Sequence, residues 1–217
     1  MGISAGKRHS GACSEKIGEG EGMSSLKDLQ EEVMSCRGCD LHKGRTNVVF
    51  GDGDENSKIM FVGEAPGYYE DRKGKPFVGQ AGELLSELLS GIGLKREEVY
   101  ITNVLKCRPP DNRVPEESEI EACKGYLKRQ IEIINPLIVC TLGNFATQVV
   151  LGRKVNITGV HGQPLEGQNF FVFPILHPAA ALHNPSLLNP LKDDFRKLKE
   201  FLDSNPVPRS GEQMSLF

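Results

Sequence analysis

The chain has 217 residues, 38% of them hydrophobic and 25% charged, which fits one α/β domain with a sizeable core or at most two small ones. No stretch approaches the roughly eighteen apolar residues of a membrane span, the Gly/Ser/Lys-rich N-terminus lacks a secretory signal's apolar core, and Gly6 stands where N-myristoylation needs Ser or Thr, so the chain reads as cytoplasmic. A net charge of −3 gives no global attraction to nucleic acid, and six cysteines in a reducing compartment argue for metal ligands or buried thiols over disulfides.

Residues 1–22 read as a disordered leader. The run Gly18–Gly22 alternates Gly and Glu directly before Met23, and its purine-rich codons resemble a ribosome-binding site, so Met23 is the expected native start. Ser24 or Ser25 can cap a helix reaching about Ser35, with Leu26, Leu29 and Val33 on one face. Residues 58–63 form a short apolar run ending in Gly, a buried strand. Helical spacing follows over 79–94 (Leu84, Leu85, Leu88, Leu89), then a strand over 99–103 and a long amphipathic helix over 116–134. A third strand is expected at 137–142, a helix at 144–151, a fourth strand at 170–176 and a last helix at 190–202. Residues 204–217 read as a flexible tail. This alternation predicts a three-layer α/β/α fold with a central four-stranded parallel sheet. In such a sheet ligands sit beyond the carboxyl ends of the strands. The loops 63–77, 103–115, 142–144 and 177–184 are therefore expected to form one site.

The cysteines offer two readings. Cys36 and Cys39 form a CxxC at the end of the first helix, which alone fits zinc, redox chemistry or chance. If Cys107 and Cys123 join them, four thiolates suit either tetrahedral zinc or a four-iron cluster, and the wide second spacing favours a cluster. Cys140 lies within a strand and reads as a buried structural thiol.

Four loop residues could carry chemistry. Glu64, in Gly63-Glu64-Ala65-Pro66-Gly67, puts a carboxylate at the top of the sheet, or merely turns the chain. Phe77 could stack on a planar ligand or fill a satellite core. Asn103 has the donors and acceptor to read a base edge, or is a turn residue. His177 follows the fourth strand, as an active residue or a satisfied structural histidine. Arg108 and Arg113, set among Pro109 and Pro110, suit phosphate contact.

In order, CxxC, Gly63–Gly67 with Glu70-Asp71, Pro76-Phe77-Val78-Gly79, Asn103, Lys106–Pro110, Cys123 and His177-Pro178 resemble the family 4, iron–sulfur-containing uracil-DNA glycosylases over about residues 24–203. The resemblance implies a DNA-repair hydrolase that flips uracil out of single- or double-stranded DNA and cuts its glycosidic bond, leaving an abasic site. It implies a structural 4Fe-4S cluster on Cys36, Cys39, Cys107 and Cys123. It also implies that Phe77 stacks on uracil, Asn103 reads its polar edge, Glu64 and Ala65 hold the base or the water, and His177 steadies the 2-carbonyl oxygen. Glu64 and Asp71 are the candidates for placing water, and Leu182 for wedging into the stack. The chain departs from the family in its small Ala179-Ala180-Ala181 loop and in Tyr68-Tyr69, a stretch often acidic there. No histidine follows Pro110 as in covalently trapping relatives, which favours turnover. The last residues, Gln213, Met214, Leu216 and Phe217, resemble a bacterial sliding-clamp-binding peptide. Nothing calls for more than a monomer. The rivals are a sister glycosylase for other deaminated bases, a cluster-bearing DNA-binding module without catalysis, and an electron-transfer or zinc protein.

Overall fold

The computed structural model describes residues 25–167 and 169–207. The expected leader and clamp-binding peptide lie outside the described residues. The first helix, α1 (Leu26–Met34), starts where capping chemistry predicts: Ser25 Oγ accepts from the Asp28 N–H at 3.2 Å, and the Asp28 carboxylate accepts from the Ser25 N–H at 2.9 Å. Leu26, Leu29 and Val33 are its buried face.

Six strands form one sheet: β1 (Asp52–Gly53), β2 (Ile59–Gly63), β3 (Tyr100–Asn103), β4 (Ile138–Leu142), β5 (Leu165–Glu166) and β6 (Phe171–Ile175), in the order β1-β3-β2-β4-β6-β5. The four central strands are parallel, as expected. The outer two are antiparallel, so the sheet is mixed and six-stranded rather than purely parallel and four-stranded. Each added strand is two residues long, too short to leave a periodic signal in the sequence.

The remaining helices are α2 (Tyr68–Lys73), α3 (Gln80–Gly91), α4 (Glu117–Ile134), α5 (Gly143–Leu151), α6 (Ile157–Val160), α7 (Pro178–His183) and α8 (Leu188–Asp203). On one face of the sheet Met60, Val62, Val139 and Val172 pack with Leu29 of α1, Leu127 and Ile131 of α4, and Val150 of α5. On the other, Phe61, Ile101, Cys140 and Phe173 pack with Leu85 and Leu89 of α3 and with Leu191, Phe195 and Leu198 of α8. Burial on both faces explains why the central strands read as largely apolar runs, interrupted only by buried Thr102, Asn103 and Thr141. The helix expected over 79–94 stops at Gly91, because Gly93 is left-handed at φ 78° and turns the chain into the next loop. Among the described residues no helix is long and apolar enough to cross a membrane.

Candidate active site

Register decides what meets at the carboxyl ends. Gly63 closes β2 directly opposite Asn103 at the end of β3. A cavity of about 510 Å³ opens there, lined among others by Glu64, Ala65, Glu70, Phe77, Asn103, Arg113 and His177. The structure thus brings five of the expected base-site residues together, from three of the four expected loops. A wider groove of about 760 Å³ runs between α3 and α8, but it contains none of them and belongs to the outer face of the helices.

Phe77 is buried and held in a conformation that a bulky residue avoids, with φ 50°. Both flanks are pinned. Arg96 donates to the Pro76 carbonyl, and the Glu70 carboxylate accepts from the Val78 and Gly79 N–H groups at 2.9 and 3.1 Å. Gly82 is needed beneath it, since a Cβ there would lie 1.9 Å from the Phe77 carbonyl oxygen. Gly63 is needed beside it: a Cβ would lie 2.4 Å from Asn103 Oδ1 and 2.8 Å from the Phe77 ring. The ring and the amide therefore close against bare backbone.

Asn103 is 2% exposed, and its carbonyl accepts from Lys106 Nζ at 2.6 Å. Lys106, itself buried, also donates to Thr102 Oγ1 at 2.7 Å and to Gln130 Oε1 at 2.6 Å. Burial among these neutral acceptors pushes its pKa down to about 7, with the neighbouring Cys123 and Cys107 opposing the shift. This network fixes the end of β3.

His177 caps α7. Its Nδ1 accepts from the Ala179 N–H at 3.1 Å, which leaves the ring proton on Nε2. The ring keeps part of its surface open to the cavity, yet burial pushes its pKa down to about 4. It is therefore a neutral donor at neutral pH. Its centroid lies 5.9 Å from that of Phe77. The strand end before it is anchored by fully buried Asp194 of α8, which accepts from the Leu176 N–H at 3.0 Å and pairs with His161 Nδ1 at 2.7 Å. Sequence reasoning missed Glu70, Arg96 and Asp194. Glu70 stood in a quoted motif, but no spacing rule says that it accepts from a loop eight residues on.

Glu64 lines the cavity, and burial raises its carboxyl pKa. Asp71, the other candidate for placing water, is not brought to the cavity. It is 4% exposed and its carboxylate accepts from the Thr46 and Asn47 N–H groups at 2.8 and 3.3 Å, which makes it an anchor for that segment. Arg113 reaches the rim but commits its fork to buried Glu119 at 2.6 and 2.9 Å. Arg108 lies outside the lining, over the Tyr68 ring. Leu182 is 46% exposed on α7, beside the lining residue His183.

The four expected cysteine ligands also converge. Cys36 and Cys39 follow α1, Cys107 follows β3, Cys123 lies in α4, and all four face one small cavity with Val33, Arg45, Lys106 and Tyr126. All are free thiols. Arg45 donates to Cys107 Sγ at 3.2 Å. Burial raises the Cys39 and Cys107 thiols and pushes Cys123 up to about 12. Among the described residues no group of three or more His, Cys, Asp or Glu side chains is arranged to hold a metal ion. What the site offers is four soft ligands around a shared space, with Arg45 and Lys106 beside them and no carboxylate in the lining. That donor chemistry fits a polynuclear iron–sulfur group.

Known proteins are similar to this sequence. The family model of the Uracil DNA glycosylase superfamily matches residues 50–203. A type-4 uracil-DNA glycosylase of Archaeoglobus fulgidus is 51% identical over 186 residues, 82% of this chain and 94% of its own length. One from Thermotoga maritima is 47% identical over 183 residues, covering 82% and 94%. A type-5 uracil-DNA glycosylase of Pyrobaculum aerophilum is 31% identical over 144 residues, covering 58% and 63%. With the family model spanning most of the folded chain, and type-4 relatives about half identical along nearly their whole length, the chain belongs to the uracil-DNA glycosylase superfamily, in its type-4 branch.

Proposed function

We propose that the chain is a monofunctional DNA-repair glycosylase that hydrolyses the N-glycosidic bond of uracil in DNA and leaves an abasic site. The observation that carries this is the meeting of Phe77, Asn103, His177 and Glu64 in one cavity of a type-4 family member. The target nucleotide must leave the stack, because its glycosidic bond is out of reach inside a duplex. Phe77 stacks on the extruded uracil. The Asn103 amide pairs with the polar edge where cytosine carries an amino group in place of a carbonyl. Glu64 and Ala65 border the ring's far side and exclude the methyl of thymine. Bond breaking leaves an oxocarbenium-like sugar and a uracil anion. The Nε2–H of His177 meets the charge growing on the 2-carbonyl oxygen, an oxyanion effect strengthened by the cavity's low dielectric. A sugar cation needs only a weak nucleophile, and Glu64, with its raised pKa, orients the water. Asn103→Asp tests the reading of the base: the variant should excise cytosine and lose its preference for uracil, whereas unchanged specificity would remove Asn103 from base recognition.

Cys36, Cys39, Cys107 and Cys123 are read as the ligands of a 4Fe-4S cluster, supported by their convergence and their donor chemistry. When bound, the cluster cross-links the end of α1, the loop after β3 and α4. Iron and acid-labile sulfide in a brown protein are the expected result; zinc in a colourless one rejects it. The enzyme is proposed to act as a cytoplasmic monomer on single- and double-stranded DNA. Gln213, Met214, Leu216 and Phe217 are proposed to bind a sliding clamp. Deleting them should abolish clamp binding and spare excision, and loss of both contradicts the assignment.

A further inference from the structure

Among the described residues six large hydrophobic side chains are exposed: Met34, Tyr68, Tyr69, Val114, Leu182 and Val207. Four of these are chain neighbours of residues that line the base cavity. Tyr68 and Tyr69 stand between the lining residues Gly67 and Glu70, Val114 follows Arg113, and Leu182 precedes His183. Apolar surface concentrated at the mouth of a site marks contact with something that covers it.

The tyrosines are the most developed part of this rim. They open α2, 52% and 59% exposed, with their rings edge to face at a centroid distance of 5.4 Å. They diverge from there. Tyr69 leans toward Gly79, at the start of α3. Tyr68 carries the Arg108 guanidinium 5.3 Å from its ring centroid. Arg108 is not free to wander: its Nε donates to Asn112 Oδ1 at 2.7 Å, in a loop stiffened by Pro109 and Pro110 and by left-handed Asp111 and Asn112. The result is an exposed aromatic plate near the cavity with a held cation over one of its faces. Stacking on an aromatic plate suits any nucleobase, and a guanidinium beside it suits the phosphate that follows. The α7 lip offers Ala179, Ala180, Leu182 and His183, so the large aromatic rings near the mouth come from α2.

We propose that Tyr68, steadied by Arg108, is a stacking platform for the nucleobase next to the extruded uracil. This rests on the cavity being the uracil site. The platform holds the flanking base while its neighbour is out of the stack, and it gives the enzyme a grip on single strands, where no opposing strand contributes.

The test uses two single-stranded oligonucleotides with an uncleavable 2′-fluoro-deoxyuridine and 2-aminopurine on either its 5′ or its 3′ side. Full-length wild type, Tyr68→Phe and Tyr68→Ala are titrated against both. Wild type and Tyr68→Phe should quench 2-aminopurine on one side of the uracil. Tyr68→Ala should lose that quenching and bind roughly 5- to 150-fold more weakly, the range of one base–aromatic stack. Binding by Tyr68→Ala within about three-fold of wild type, or a loss that Tyr68→Phe shares equally, overturns the platform. Tyr68 is exposed, so its truncation leaves the core intact. Wild type is assayed in parallel on the cleavable strand. If it forms no abasic product there, the uracil reading fails, and quenching and affinity on the same oligonucleotides still decide the platform.

Discussion

Replacing His177 probes the proposed chemistry most sharply. The Ala179 N–H occupies Nδ1, and burial holds the ring's pKa near 4, so at pH 7 the imidazole is neutral. The group that meets the leaving base is therefore a neutral Nε2–H donor. Losing one preorganised donor to a developing oxyanion costs about 100- to 1,000-fold in kcat, equivalent to roughly 3–4 kcal/mol of transition-state stabilisation. His177→Ala should fall in that range under single-turnover conditions, with Kd for an uncleavable uracil strand changed by less than about ten-fold, because the donor acts mainly on charge absent from the ground state. The wild-type rate should show no His177 titration between about pH 5 and 8. A kcat that climbs as pH falls through the ordinary histidine range would mean an imidazolium is the active form. A His177→Ala rate within about three-fold of wild type would remove the residue from catalysis altogether.

Other outcomes follow from the same geometry. Because unfolded histidine titrates near 6.5 and folded His177 near 4, the unfolded chain binds the proton first as pH falls. Stability should therefore drop between those values by at most about 3 kcal/mol, less where water in the cavity screens the ring. Denaturant melts of wild type against His177→Gln isolate this contribution, and an identical pH dependence in both excludes it. Glu70→Ala leaves the Val78 and Gly79 N–H groups without their carboxylate, and should cost about 3 kcal/mol of stability together with uracil binding by Phe77. Gly63→Ala drives a methyl into Asn103 and Phe77; an overpacking loss of about 1–3 kcal/mol and a kcat/KM lower by about 100-fold are expected. Asp71→Asn should lower the melting temperature with kcat held within about three-fold, since Asp71 anchors the Thr46 and Asn47 backbone and stays out of the cavity. A large fall in kcat at unchanged stability would return Asp71 to the chemistry.

The sequence exposed the architecture where burial made it periodic. The four central strands are sandwiched between helices, so β2, β3, β4 and β6 read as apolar runs, and Leu26, Leu29 and Val33 mark the inner face of α1. The edge strands and the short helices α2, α6 and α7 left no such trace, because two to six residues span too little of a period. The site was legible at residues that carry chemistry on strand ends, Glu64, Asn103 and His177, since a parallel sheet delivers those ends to one place. Supporting residues were opaque. Asp194 reaches Leu176 from eighteen positions away, and Arg96 reaches Pro76 from twenty. Glu70 and Asp71 are adjacent in sequence and point to different partners, so only the helical turn of α2 separates the one at the cavity from the one that anchors a distant segment.

The central claim is that the cavity formed by Glu64, Phe77, Asn103 and His177 excises uracil. Oligonucleotides carrying a single uracil, hypoxanthine or thymine, single-stranded and paired, are incubated with the full-length protein and then treated with alkali to break abasic sites. Strand scission at uracil in both forms, with thymine left intact, is the predicted result. Scission confined to hypoxanthine would assign the cavity to another deaminated base, and intact strands throughout would contradict the account.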